Sequence, residues 1–78
     1  MGVVLYHRTG DPDSAAVRQR IVELGPKPRV NFENVDTEGA EAFAEHGGRR
    51  VPALWDRVLL HQGRAAVLTQ IDRFAEGS

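Results

Sequence analysis

The spacing of apolar residues along the chain changes several times between the period of a strand and that of a helix. Val3 to Tyr6 is a short, continuous apolar run, which is typical of a strand buried on both faces. Val30–Asn34 alternates apolar and polar residues, which predicts a strand with one covered face. Val51–Trp55 and Val58–His61 lie on either side of Asp56-Arg57, which predicts a hairpin with a tight turn. These segments predict four strands.

The first helix is predicted between the first two strands, with well-defined ends. Asp11 suits the N-cap, Pro12 the first helical position and Asp13 the first turn, since all three are favourable at the positive end of a helix. Gly25-Pro26 predicts its end. Apolar residues recur on one face at steps of three and four: Val17, Ile21 and Leu24.

Two more helices follow from the same period. A second helix is predicted after Val30–Asn34, because apolar or small residues recur there at helical spacing: Ala40, Phe43, Ala44 and Gly47. A third is predicted from about Gly63, burying Val67, Ile71 and Phe74. The order βαβαββα therefore predicts an α/β fold, with a four-stranded mixed sheet flanked by three helices.

Length and charge limit the classes of function. The chain has 78 residues and forms one predicted domain over residues 1–78, since it is too short for a second core. Its formal net charge of −1 argues against a nucleic-acid partner, because phosphate binding needs an excess of Lys and Arg. No apolar run approaches a membrane span, and the start Met1-Gly2-Val3-Val4 has no basic segment or cleavage site. We therefore expect a cytoplasmic protein without a membrane partner.

Metal chemistry is not predicted either. The chain has no cysteine, and His7, His46 and His61 share no metal-ligand spacing. Trp55, just before the predicted turn, has two interpretations, a cover of the core or an exposed contact for a partner.

Three segments in order along the chain carry a family resemblance. Val4–Gly10 resembles the strand and loop that lead into the redox motif of glutaredoxins. Gly47–Leu54 resembles the segment that places a cis-proline beside that motif, and Leu60–Val67 resembles the turn and helix start that hold the glutamyl end of glutathione. The resemblance covers nearly the whole chain. It implies a thioredoxin-like fold in its minimal, glutaredoxin-like form, similar to the N-terminal domain of glutathione S-transferases, with a cis peptide between Val51 and Pro52.

The chain departs from this family at the redox motif itself. Where the glutaredoxins it resembles have C-P-Y-C, it has Asp11 at the position of the nucleophilic cysteine and Ser14 at that of the resolving cysteine. Neither a carboxylate nor an alcohol can form the mixed disulfide, so ordinary thiol–disulfide exchange is excluded and no catalytic residue is assigned. Asp11 is interpreted as an N-cap. Ser14 is interpreted as a local backbone partner, its alternative being a hydroxyl that assists a bound thiol, with His7 the nearest candidate base.

The resemblance also implies candidate ligand-binding residues. The backbone of the residue before the cis-proline would pair with the cysteinyl part of glutathione, and the amides after Gln62 would meet its glutamyl carboxylate at a helix N-terminus. Two arginines would attract its glycyl carboxylate. The alternative is that these residues form a helix-entry turn and a solvated surface. The candidates are Arg8, Arg50, Val51, Pro52, Gln62 and Gly63.

Two functional hypotheses follow. In the first, the domain is a redox-inactive, glutaredoxin-like binding or adaptor module, which recognises a protein or peptide through the former active-site face and needs no cofactor. In the second, it is a glutathione-binding or glutathione-dependent, transferase-like protein, in which Ser14 or Arg8 assists the bound thiol. Asp11 and Asp13 count against the second, since they place negative charge beside a negatively charged ligand.

Overall fold

A computed structural model describes residues 3–25 and 29–77, and within them the predicted order of elements is confirmed. The elements are β1 (Val3–His7), α1 (Pro12–Leu24), β2 (Val30–Asn34), α2 (Ala40–Glu45), β3 (Ala53–Trp55), β4 (Leu60–Gln62) and α3 (Arg64–Gly77). The strands form one four-stranded sheet in the order β2-β1-β3-β4. The protein is therefore α/β, with a mixed sheet and three helices. In the part of the chain described, no helix has the length and apolar character needed to cross a membrane.

Strand β1 is central to the sheet. It pairs in parallel with β2 and antiparallel with β3, and β3 pairs antiparallel with β4. Successive side chains of a strand point to opposite faces, so the neighbours Leu5 and Tyr6 enter different cores, and both are almost fully buried. The prediction of a strand covered on both faces is confirmed for these two residues.

The larger core joins side chains from β1, β3, α1 and α3. Its buried members are Leu5, Val17, Ile21, Leu54, Val67 and Ile71. Leu24 and Phe74 pack against it and are half-buried, so the predicted apolar faces of α1 and α3 are confirmed. Burial of each large aliphatic side chain is worth roughly 1.5–3 kcal/mol, which makes this cluster the main source of stability.

The smaller core covers the other face of the sheet and is rich in aromatic rings. Its buried members are Tyr6, Val35 and Ala53. The ring of Phe43 packs on Tyr6 with ring centroids 5.5 Å apart, and the ring of His46 stacks on Trp55 at 3.8 Å and 11°. Trp55 is half-buried, packed against this core. Of its two interpretations, the structure favours the cover of the core.

The ends of α1 are as predicted within the described residues. Asp11 is the N-cap and Pro12 stands in the first turn. Gly25 follows the last helical residue with a φ of 83°, and its amide donates to the Val22 carbonyl at 3.1 Å. Pro26, which was also predicted to end this helix, lies outside the described residues, as do Met1 and Gly2.

The second helix is shorter than the predicted spacing, which extended to Gly47, and it is only partly buried. It ends at Glu45, and none of its residues is fully buried. Ala44 and Gly47 are exposed, while Phe43 is half-buried. Gly47 adopts a φ of 80°, a left-handed conformation that terminates a helix, and its amide donates to the Ala44 carbonyl at 3.0 Å.

The edge strand β2 is only partly covered. Val30 packs against the larger core, as predicted, but Phe32 is 40% exposed, with its ring edge against His7 at 5.9 Å.

The predicted hairpin forms, but its turn is longer than expected. The strand β3 begins at Ala53 instead of Val51, because Pro52 has no N–H for the ladder. The strand β4 begins at Leu60 instead of Val58, and residues 56–59 form the connecting loop. The Asp56 Oδ1 atom accepts hydrogen bonds from the amides of Val58 at 2.8 Å and Leu59 at 2.7 Å, so this side chain takes donors that a tight turn would leave to the ladder.

The second carboxylate oxygen of Asp56 contacts a histidine of β4. This Oδ2 atom lies 2.7 Å from Nε2 of His61, and the bonds from His61, Leu59 and Val58 lower the pKa of Asp56 to about 2. The side chain of Asp56 therefore binds both the connecting loop and His61 of β4, and its amide closes the loop by donating to the Leu59 carbonyl at 3.2 Å.

We predict that Gly48→Ala lowers the free energy of unfolding by about 1–3 kcal/mol, measured by urea denaturation. A Cβ atom at Gly48 would overlap the ring of Phe43, which must then move out of its contact with Tyr6.

The control is a double-mutant cycle with Phe43→Leu, which shortens the obstructing side chain. If the steric account is right, the double variant loses less stability than the sum of the single variants. Simple additivity would show that the cost of Gly48→Ala arises elsewhere.

Candidate binding site

The sheet topology brings the predicted site residues to one end of the sheet. Because β1 and β4 both run antiparallel to β3, their C-terminal ends lie beside the N-terminal end of β3, with Ala53 opposite Tyr6 on one side and Gln62 on the other. Helix α1 begins after β1, α3 begins after β4, and Pro52 directly precedes β3. We call this region the loop end, formed by residues 8–14, 49–52 and 62–64.

The polar groups at the start of α1 are hydrogen-bonded to neighbouring residues of the same segment. Asp11 Oδ2 accepts a hydrogen bond from the Ser14 amide at 2.8 Å, which confirms the predicted N-cap. Hydrogen bonds from the Ser14 side chain and then from its amide hold the pKa of Asp11 below its ordinary value of 3.8. The Ser14 hydroxyl is fully buried and accepts from the Arg8 amide at 3.2 Å. Ser14 is therefore a local backbone partner, which agrees with its first interpretation.

The basic groups after β1 are also engaged within the chain. The Arg8 guanidinium pairs with Asp36, with Nε 3.1 Å from Oδ2, although we predicted that Arg8 would meet a ligand carboxylate. His7 Nδ1 lies 3.1 Å from a guanidinium nitrogen of Arg18. Burial first, and then the charge of Arg18, lowers the pKa of His7. His7 is thus a half-buried residue bound to Arg18, and no hydrogen bond joins it to Ser14.

The peptide between Val51 and Pro52 is cis, as the resemblance implied. Its loop is attached to the start of α3 by three hydrogen bonds. The Gly63 amide donates to the Pro52 carbonyl at 2.8 Å, and Gln62 Oε1 accepts from the amides of Arg49 at 2.8 Å and Arg50 at 3.0 Å.

These bonds change the predicted roles of two residues. The Gly63 amide was expected to meet a ligand carboxylate, but the Pro52 carbonyl already accepts its hydrogen bond. The side chain of Gln62 anchors the loop before the cis-proline. In contrast, neither the amide nor the carbonyl of Val51 makes a hydrogen bond within the described part of the chain, and Val51 is only half-buried.

The arginines at the loop end fall into two groups. Arg64 lies 3.7 Å from Asp13, which joins the start of α3 to the start of α1. Arg49 and Arg50 are exposed, and neither guanidinium makes an ion pair with any described residue. The side chain of Arg50 lies over Gly63, since a Cβ atom at that glycine would be 3.5 Å from Arg50 Cδ.

Sequence reasoning missed three of these contacts: the side-chain role of Gln62, the Asp13–Arg64 pair and the Arg8–Asp36 pair. The first depends on the observed hairpin register, which pairs Gln62 with Ala53 and which the predicted tight turn did not give. Surface ion pairs leave no comparable pattern in a single sequence. No group of three His, Cys, Asp or Glu residues that could hold a metal ion occurs among the residues described.

The chain matches no protein-family model and no curated protein. The family resemblance therefore stays a prediction from its three segments.

We predict that Gln62→Leu lowers the free energy of unfolding by about 1–3 kcal/mol, since it removes the acceptor of two hydrogen bonds worth about 0.5–1.5 kcal/mol each. Chemical denaturation measures the loss. Gln62→Glu is the matched control, because it keeps an acceptor oxygen at the same position and should retain most of the stability. Equal losses in the two variants would contradict the anchoring role.

We also predict that Asp11→Ala lowers the melting temperature at neutral pH by about 4–8 °C, because the first turn of α1 loses its cap. The folded protein lowers the pKa of Asp11, so this stabilisation is present above the ordinary value of 3.8 and is lost as the pH falls through the lower, folded value. The difference in melting temperature between the native protein and Asp11→Ala should therefore become smaller in acid.

The control is Asp11→Asn, which keeps a side-chain oxygen without a carboxyl proton. Its melting temperature relative to Asp11→Ala should not depend on this titration. A native protein no more stable than Asp11→Ala at neutral pH would show that the carboxylate has another role.

Proposed function

We propose that the protein is a thioredoxin-like, glutaredoxin-like domain without thiol–disulfide exchange, which binds an extended segment of a protein or peptide at the loop end. The element order, the sheet order and the cis-proline beside the start of α1 support this proposal. The observation that carries it is the backbone of Val51, whose amide and carbonyl make no hydrogen bond in the described part of the chain.

A peptide backbone is the ligand whose chemistry fits this feature. A residue that precedes proline is restricted to extended conformations, so Val51 can present its amide and carbonyl as a strand does. An extended peptide can pair with such groups by adding a short strand, and its main-chain hydrogen bonds provide affinity. The bonds from Gln62 and Gly63 hold the loop on both sides of Val51, which lowers the entropy cost of binding.

Binding without exchange is the consistent interpretation of the α1 start. Thiol–disulfide exchange requires a thiolate nucleophile, and the chain supplies no thiol. The Asp11 carboxylate accepts a hydrogen bond from the Ser14 amide, and the buried Ser14 hydroxyl accepts one from the Arg8 amide. We therefore place the function in the backbone of the cis-proline loop.

Glutathione is a second candidate ligand, supported by one observation. Arg50 lies over Gly63 at the start of α3 and has no ion-pair partner among the described residues, so it could receive a carboxylate. The engaged Gly63 amide and the Arg8–Asp36 pair oppose this candidate. A transferase-like activity has less support still, because Ser14 and Arg8 were the residues expected to assist a bound thiol.

The test is an NMR titration of the labelled chain with the peptide acetyl-Gly-Val-Gln-Gln-Val-Gly-amide and, separately, with reduced glutathione. We predict that the peptide shifts the amide resonance of Val51, while resonances of β2, at the far edge of the sheet, stay unchanged.

The control peptide carries N-methyl groups on its central amides. It cannot donate a hydrogen bond to the Val51 carbonyl, and its carbonyls keep only the bond from the Val51 amide, so it should shift that amide much less than the unmethylated peptide does. A Val51 amide that responds to neither peptide contradicts the proposal. If only glutathione shifts the Val51 amide resonance, and Arg50→Gln abolishes that shift, then glutathione binding replaces peptide binding as the proposed function.

A further inference from the structure

This inference rests on the proposed peptide binding. We infer that the loop end selects an acidic segment: the peptide residue next to the one that pairs with Val51 carries a carboxylate, which Arg50 binds, while Arg49 adds positive charge beside it.

The loop end carries more positive than negative charge, since the aspartates Asp11 and Asp13 face four arginines in the same segments: Arg8, Arg49, Arg50 and Arg64. At the loop end, Asp11 accepts from the Ser14 amide, Asp13 pairs with Arg64, and Arg8 pairs with Asp36. The first turn of α3 contains no acidic residue. At the loop end, the guanidinium groups of Arg49 and Arg50 make no ion pair with any described residue, and these two arginines directly precede Val51.

The backbone of these two arginines is fixed, although their side chains are exposed. Gln62 Oε1 holds both of their amides, at 2.8 and 3.0 Å, and the Arg50 chain also lies against Gly63. Anchored Cα positions reduce the conformational entropy that the arginines lose when they bind a ligand. A binding site benefits from this anchoring, because the backbone of both arginines is already in place before the ligand arrives.

The position of the carboxylate follows from strand geometry. When a peptide residue lies opposite Val51, its neighbour lies opposite Arg50, and side chains opposite each other in paired strands have Cβ atoms about 4.5–5.5 Å apart. A glutamate there is within reach of the guanidinium, which binds carboxylates with two parallel hydrogen bonds. A polyanion such as nucleic acid is a poorer match, since the chain as a whole has a net charge of −1.

The experiment compares acetyl-Gly-Val-Glu-Glu-Val-Gly-amide with its Gln counterpart, using the full chain at low ionic strength. We expect the Glu peptide to bind about three- to tenfold more tightly, with the Val51 amide shifted by both peptides. The double variant Arg49→Gln/Arg50→Gln should remove the difference. Arg73→Gln, together with Arg29→Gln, is the matched control: it removes the same charge at exposed positions outside the loop end and should keep the difference.

The outcomes separate this inference from the proposed function. Equal affinity for the two peptides, with Val51 shifted by both, overturns acidic selection and leaves peptide binding intact. Tighter binding of the Glu peptide that persists in the Arg49→Gln/Arg50→Gln variant also overturns it, since the charge is then recognised elsewhere. If neither peptide shifts Val51, both the inference and the proposed function fail.

Discussion

The loop end depends on the attachment of the cis-proline loop to the junction between β4 and α3. The Gly63 amide bonds to the Pro52 carbonyl, and Gln62 Oε1 bonds to the amides of Arg49 and Arg50. Because residues 62 and 63 continue directly into α3, whose buried side chains belong to the larger core, the loop is tied to the most stable part of the molecule. The hydrogen-bonding groups of Val51 lie in the middle of this fixed segment.

At the start of α1, in contrast to Val51, the polar groups are already hydrogen-bonded within the chain. A helix begins with amides that lack intrahelical partners, and here the Asp11 carboxylate receives one of them and is itself held by Ser14. A thiolate at this position would be open to a substrate, whereas a capping carboxylate stabilises the fold. On the function that we propose, the helix start serves the fold, and recognition belongs to the backbone of the cis-proline loop and to the charges of Arg49 and Arg50.

Local rules predicted much of the fold because short-range chemistry decides it. The apolar period of α1 and α3, the Asp11 cap and the apolar run of β1 each involve residues close in sequence. The hairpin was predicted less well, since the Asp56 side chain takes two amides and lengthens the turn, which shifts the register of β4. The anchoring role of Gln62 depends on that register, so it could not be predicted from a tight turn. The predicted spacing carried α2 as far as Gly47, whereas the helix ends at Glu45, because Gly47 adopts the left-handed conformation that terminates it.

The account claims that Gln62 and Gly63 fix the cis-proline loop and leave the Val51 backbone free to bind. Amide hydrogen exchange of the native protein tests this most directly, with each rate compared with that of an unstructured peptide of the same local sequence. The account predicts clear protection for the Gly63 amide, measurable protection for those of Arg49 and Arg50, and almost none for Val51. Exchange of Arg49 and Arg50 as fast as that of Val51, or strong protection of Val51 itself, would contradict it.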